Sequence, residues 1–226
     1  MESQNSEQPK KSCCRKYFIA FAVIAVVIVA GFSFVVIKEL IKLPKNIIAP
    51  TTIDVERMKL IQGDGKYFLG TTSPKLTIVE FADYNCPKCH SAFPKIRELG
   101  LKYKNDVKII FRDYPLIAET SQTLAMAAHC AGEQGRFWSM HDRLFSDTNE
   151  KDKDSLKIIA QQLGLDRNQF NACLDGDRYL STIKKNISDA QAIGVSGTPT
   201  WFFNGTKVVG DIPFVDFENI IKQYIK

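Results

Sequence analysis

One stretch constrains this 226-residue chain more than any other. It is the run Leu76-Thr77-Ile78-Val79-Glu80-Phe81-Ala82, the turn Asp83 to Asn85, and then Cys86-Pro87-Lys88-Cys89. The first part is apolar and β-branched with a single acid inside it, so it reads as a strand buried in the middle of a sheet. Pro87 suits the first turn of a helix, where a missing N–H costs nothing. A buried strand that runs straight into a helix needs a sheet with helices packed against it, so an α/β layer fold is expected.

The rest of the chain fits that frame. Val107 to Phe111 reads as a second strand ending near Pro115. Four short helical patterns follow. Leu124, Ala127, Ala128 and Ala131 share one face, and Phe137, Met140, His141 and Leu144 the next. Leu156, Ile159, Ala160 and Leu163 stop at Gly164, and Phe170, Cys173 and Leu174 stop at Gly176. A longer helix carries Leu180, Ile183, Ile187 and Ala190 and ends at Gly194. Thr200 to Phe203 and Lys207 to Val209 form a hairpin about Asn204-Gly205, and Pro213 opens a last helix. The order is strand, helix, strand, helical block, helix, hairpin, helix, with the block inserted at about residues 117–176.

Charge is placed unevenly. Lys10, Lys11, Arg15, Lys16, Lys38, Lys42 and Lys45 outweigh Glu2, Glu7 and Glu39 by +4, leaving +1 of the total +5 for residues 46–226. The folded part therefore has no basic excess of the kind that nucleic-acid binding requires. Between the two basic groups, Tyr17 to Ile37 carries no charge. At about 1.5 Å per residue it spans roughly 30 Å, enough to cross a bilayer. Residues 1–16 are expected in the cytoplasm, 17–37 as a transmembrane anchor, and 38–65 as a juxtamembrane linker with a short amphipathic piece (Val55, Met58, Ile61). Residues 66–226 are expected as the exported domain. A signal segment cleaved near Ala30-Gly31 is the alternative, although the apolar run continues past that point.

Cys13 and Cys14 fall on the cytoplasmic side of the apolar segment, and Cys86, Cys89, Cys130 and Cys173 on the exported side. An even number there fits an oxidising compartment. Cys86 stands at a helix start, where unpaired N–H groups and the helix dipole favour a thiolate, and Lys88 adds a positive charge beside it. Cys89 lies one turn inside. A redox pair is the favoured reading. Cys86-x-x-Cys89-His90 also matches covalent haem attachment, but the motif follows a buried strand and not a helical frame. A metal site could recruit Cys130, His129 or His141, but only one Cys-x-x-Cys is present. Cys130 and Cys173, 43 positions apart on apolar helical faces, are either buried thiols or a structural disulfide, and the oxidising compartment favours the disulfide. His90, next to Cys89, is a candidate for tuning the thiolate. No metal or cofactor is expected.

Three segments carry a family resemblance: Glu80 to Cys89, Phe111-Arg112-Asp113-Tyr114-Pro115-Leu116, and Gly197-Thr198-Pro199-Thr200-Trp201-Phe202-Phe203-Asn204-Gly205. In order and spacing, over roughly residues 60–226, they resemble the DsbA family, in its thioredoxin-like periplasmic branch. The resemblance implies a thioredoxin fold with a helical insertion and a protein disulfide oxidoreductase. Cys86 would be the nucleophile and Cys89 the resolving thiol, with Pro87, Lys88 and His90 tuning the thiolate. Thr198-Pro199 would be a cis peptide facing the disulfide and binding substrate backbone. The residues alone say only that Pro199 precedes a strand. Glu80, six residues before Cys86, is either an edge acid in solvent or a buried acid relaying a proton to or from Cys89. The family has an acid at this spacing. A second disulfide in the helical block also occurs among DsbA-like proteins. The implied partners are reduced exported proteins and a membrane quinone-linked reoxidase of the DsbB type, in the periplasm. Two departures leave the direction open. Lys88 stands where the best-known member has His, and Thr198 before the proline also occurs in the isomerase branch. An isomerase, a reductase, or a metal- or haem-handling binding protein are the alternatives.

Overall fold

The computed structural model describes residues 55–147, 149 and 152–226. The expected anchor at 17–37, and Cys13 and Cys14, lie outside them. No helix among the described residues is long and apolar enough to cross a membrane.

The elements run α1 (Val55–Gln62), β1 (Phe68–Gly70), β2 (Leu76–Ala82), α2 (Pro87–Lys102), β3 (Val107–Asp113), α3 (Ser121–Gly132), α4 (Phe137–Ser146) and α5 (Lys153–Gln162). Then follow α6 (Arg167–Asp175), α7 (Leu180–Ala192), β4 (Thr200–Phe203), β5 (Thr206–Val209) and α8 (Phe214–Ile225). The five strands form one mixed sheet in the order β1-β3-β2-β4-β5. β2 lies at its centre, parallel to β3 and antiparallel to β4. This is the thioredoxin fold, with α3 to α6 inserted between β3 and α7.

The period of two along β2 sorts its side chains between two layers. Leu76 and Ile78 pack with Ile96 and Leu99 of α2 and with Phe217 and Ile221 of α8. Val79 and Phe81 pack on the other face with Ile61 of α1 and Ala190 of α7. Glu80 follows the parity of Ile78, which places it on the α2 side. The inserted helices hold a third cluster, including Leu124, Phe137, Leu144, Leu156 and Phe170. The β4–β5 turn takes positive φ at Asn204 (45°) and Gly205 (92°), the backbone twist that an Asn-Gly hairpin favours.

The stretch expected to be a linker contributes to the fold. Ile61 is fully buried. Arg112 of β3 donates from Nη1 to the carbonyls of Leu60 (2.9 Å) and Ile61 (3.0 Å) in the last turn of α1, where helical N–H partners run out. The same guanidinium pairs with Asp189 of α7 at 2.8 Å, with both side chains nearly buried. The structured domain therefore begins by Val55, ahead of the expected boundary at residue 66. A two-turn helix carries too few apolar positions to mark itself as packed.

Candidate active site

Cys86 is the residue that caps α2. Its backbone is extended (φ −82°, ψ 117°), Pro87 opens the helix, and no side chain caps the N-terminus. The carbonyl of Cys86 accepts from the N–H groups of Cys89 and His90, both at 3.0 Å. The backbone N–H groups of Lys88 and Cys89 in the first turn also favour a thiolate at Cys86. Thr198-Pro199 is a cis peptide. It places the carbonyl of Thr198 3.3 Å from Cys86 Sγ, which donates to it as a thiol. Thr198 Oγ1 is buried with no other partner, so it can donate once the sulfur is a thiolate.

The two sulfurs are pushed in opposite directions. The Cys89 thiol, together with Thr198 and the backbone N–H groups of Cys89 and Lys88, lowers the Cys86 pKa to about 5 against the opposing effect of burial. Burial, the bond to Cys86 and the nearby Glu80 drive Cys89 far above the range of an ordinary thiol, against one backbone N–H from Asp83. Cys86 is 4% exposed and Cys89 0%, so both sulfurs are recessed.

Glu80 does not lie at a sheet edge in solvent. It pairs with Phe111 on one side and Trp201 on the other and is 4% exposed. Burial, and then the negative charge of Cys86, raise it to about 8. An acid with that pKa beneath two thiols can hold or release a proton near neutral pH.

Lys88 is exposed, and its backbone N–H is among the groups that lower the Cys86 pKa. Pro87 is exposed beside it. His90 is engaged elsewhere. The carbonyl oxygens of Phe145 and Tyr84 lie 2.7 Å from its Nδ1 and Nε2, so neither nitrogen is directed at a sulfur. It ties α2 to the end of α4. The residues considered for a metal are likewise committed. His129 Nε2 lies 2.7 Å from Asp113 Oδ2, and His141 Nδ1 lies 3.0 Å from the Tyr84 hydroxyl. Burial lowers the His141 pKa well below its ordinary value. Cys130 is bonded to Cys173, joining α3 to α6 across a sequence separation of 43. Among the described residues, no group of three or more His, Cys, Asp or Glu could hold a metal ion.

Sequence reasoning missed Asp83 and Asn85. Asp83 is fully buried and accepts from the N–H of Asn85 at 2.8 Å. An Asp two residues before an Asn, at the end of a strand, is a turn signal that could have drawn attention to it.

A dithiol in the first turn of a helix that follows a buried strand, facing a cis-proline, defines the class of thioredoxin-fold oxidoreductases. A family model described as Thioredoxin matches residues 63–223, and the chain belongs to that family. Among solved structures, it is similar to a thioredoxin-like oxidoreductase from Silicibacter pomeroyi DSS-3. The identity is 26%, the TM-score 0.66, and the match covers 73% of this chain and 95% of that one. A periplasmic thioredoxin-like protein from Salmonella enterica serovar Typhimurium is 27% identical, with a TM-score of 0.64 and coverage of 77% and 98%. The thiol-disulfide exchange protein alpha-DsbA2 from Wolbachia pipientis shares the fold at 22% identity and a TM-score of 0.68, over 74% of this chain and 91% of that one. The two neighbours above 25% identity are both thioredoxin-like, and one is described as an oxidoreductase, in keeping with the fold expected from the sequence. A Na(+)/H(+) antiporter NhaA 3 from Salinispora tropica is 36% identical over 155 residues, which is 68% of this chain and 24% of that protein. The chain spans about a quarter of the length of the curated relatives first matched, and the antiporter name belongs to those longer proteins.

Proposed function

We propose that this protein introduces disulfide bonds into exported proteins by dithiol–disulfide exchange at Cys86 and Cys89. In the oxidised form, a substrate thiolate attacks the Cys86 sulfur. A bond forms between substrate and Cys86, and the Cys86–Cys89 bond breaks, with its electron pair leaving on Cys89. Glu80, holding a proton near neutral pH, supplies it to the departing Cys89 sulfur. The substrate's second thiolate then attacks its own bridged sulfur and expels Cys86 as a thiolate. The substrate leaves oxidised, and the protein is reduced by two electrons.

The observation that carries this reading is Cys86 at the N-cap of α2 with its sulfur 3.3 Å from the Thr198 carbonyl before cis-Pro199, a setting that holds its pKa down to about 5 while burial pushes Cys89 far upward. A stabilised Cys86 thiolate is a good leaving group, and it lowers the free energy of the reduced form relative to the disulfide. Thr198 and Pro199 would hold substrate backbone beside Cys86. Reoxidation would fall to a membrane quinone-linked partner. The periplasmic relative supports an exported location, with residues 17–37 as the anchor.

The test is a trap. Cys89→Ser removes the resolving thiol, so the full-length variant should accumulate mixed disulfides through Cys86 with exported proteins. Cys86→Ser should form none. Equal trapping by both variants contradicts the assigned roles.

A further inference from the structure

Asp83 takes no part in the steps above, yet it bears on both cysteines. Its carbonyl accepts from the Cys86 N–H at 3.0 Å. Its own N–H favours the Cys89 thiolate, against the larger effect of burial. Its side chain is fully buried and uses both oxygens. Oδ1 accepts from the Asn85 N–H at 2.8 Å, and Oδ2 accepts from the Ile117 N–H, also at 2.8 Å.

Closing a local turn needs only the first of those bonds. The second reaches 34 positions along the chain, to the loop that leads into the helical insertion. A further set of bonds fastens the same two segments. Asn85 Nδ2 donates to Thr120 Oγ1 at 3.1 Å and to Ser121 Oγ at 3.0 Å. Ser121 Oγ also accepts from the Ala118 N–H at 3.1 Å. The turn that presents Cys86 and the loop at 117–121 are thereby held as one piece. Backbone N–H donors cannot swing away as side chains can, and leaving either one buried without an acceptor is costly.

We propose that Asp83 is a positioning residue for disulfide exchange: its buried carboxylate locks the turn before Cys86 to the loop entering the insertion, and so keeps the Cys86 sulfur against Thr198 and the first turn of α2. The proposal rests on the exchange reading of Cys86 and Cys89.

Asp83→Asn tests it by the sign of its effect. The amide keeps the shape and one acceptor oxygen, but turns its NH₂ toward the other N–H. Removing a carboxylate favours a neighbouring thiolate and would by itself lower the Cys86 midpoint. Loss of position removes donors from the sulfur and raises it. The readout is thiolate absorbance against pH in the reduced full-length protein. Glu80 and Cys89 are the titrating neighbours. Glu80 does not absorb there, and Cys89 stays protonated through the range.

The expected result is a midpoint raised by about one pH unit, which is about tenfold less thiolate at a given acidic pH. Reaction with a small disulfide near pH 6 should slow by a similar factor. Asn85→Ala, which keeps Asp83 and breaks only the bonds to Thr120 and Ser121, should shift the midpoint upward by less and serves if the first variant does not fold. A low wild-type midpoint left unchanged or lowered in both variants overturns the positioning role, whatever happens to their melting temperatures. A wild-type midpoint near the ~8.5 of a free cysteine overturns the exchange reading itself, and with it the thiolate that Asp83 would position.

Discussion

The chain holds two pairs of cysteines in two regions, and burial does not tell them apart. Cys86 and Cys89 in the thioredoxin core are 4% and 0% exposed, and Cys130 and Cys173 in the helical insertion are 1% and 0%. What differs is the polar surroundings of the sulfur. Cys86 has helix N–H groups, a thiol and Thr198 around it. All four sulfurs border one apolar cluster, but around the Cys130–Cys173 bridge the polar contact is a single long one, from Cys173 Sγ to Glu133 Oε1 at 3.8 Å. The spacing differs as well, since two residues separate the first pair and the second closes a long loop. Donors and spacing favour reactivity at Cys86, whereas a pair that lacks such donors and closes a long loop serves to cross-link.

The largest expected effect separates the two regions. Cys86→Ser should reduce dithiol oxidation to background while leaving the melting temperature of the domain nearly unchanged. Replacing both Cys130 and Cys173 by Ala should do the reverse. Loop-closure entropy for a loop of this length gives up to about 4 kcal/mol, or roughly 10 °C in melting temperature for a domain of this size. Exchange should stay within about twofold, since no contact of the Cys86 sulfur involves this bridge. Loss of exchange in the double alanine variant of the insertion would break the division between the regions.

The next effect lies within the core and concerns pH. Cys86 has a depressed pKa, so in the reduced protein it contributes stability that is full above about 9 and is lost as pH falls through about 5. Glu80 has a raised pKa, so its contribution is full below about 4.5 and is lost as pH rises through about 8. Between pH 5 and 8 the two slopes oppose each other, and the stability of the reduced wild type should be nearly flat. Glu80→Gln removes one of them. Urea unfolding of that reduced variant should show stability rising with pH over this window, by at most about 1.4 kcal/mol per unit. A variant as flat as the wild type would mean that the two groups do not share the site in this way.

How much of this could be read in advance divides along the same line. The run Leu76 to Cys89 and the Asn204-Gly205 turn mark themselves through period and turn chemistry, so the core order was legible. So was the pairing of Cys130 with Cys173 as the favoured reading, because an exported chain with two cysteines on apolar faces has few other uses for them. The amphipathic piece at Val55, Met58 and Ile61 was legible as α1, but its packing into the domain and the three-residue β1 were not, because they depend on Arg112 and the edge of β3, contacts distant in sequence. His90 looked like a tuning group by adjacency to Cys89, but the carbonyls of Tyr84 and Phe145 occupy it. Asp83 and Asn85 looked like ordinary turn residues, and only the fold brings Ile117, Thr120 and Ser121 to them.

The smallest effect expected is that of Lys88. Its side chain is exposed, where solvent weakens its charge, and a substitution retains the backbone N–H that favours the Cys86 thiolate. Lys88→Glu should therefore raise the thiolate midpoint by only a few tenths of a unit, with the shift shrinking as salt screens it. A shift of a full unit would assign the tuning to side-chain charge at this position and narrow the difference drawn between the helix start and its surroundings.

The central claim is that the surroundings of Cys86 make the Cys86–Cys89 pair an oxidant. The reduction potential of that pair, measured in glutathione buffers with the Cys130–Cys173 bridge intact, tests it most directly. The account predicts a value more oxidising than about −180 mV, on the donor side of protein disulfide isomerase. A value near the about −270 mV of thioredoxin would contradict it and make the protein a reductase.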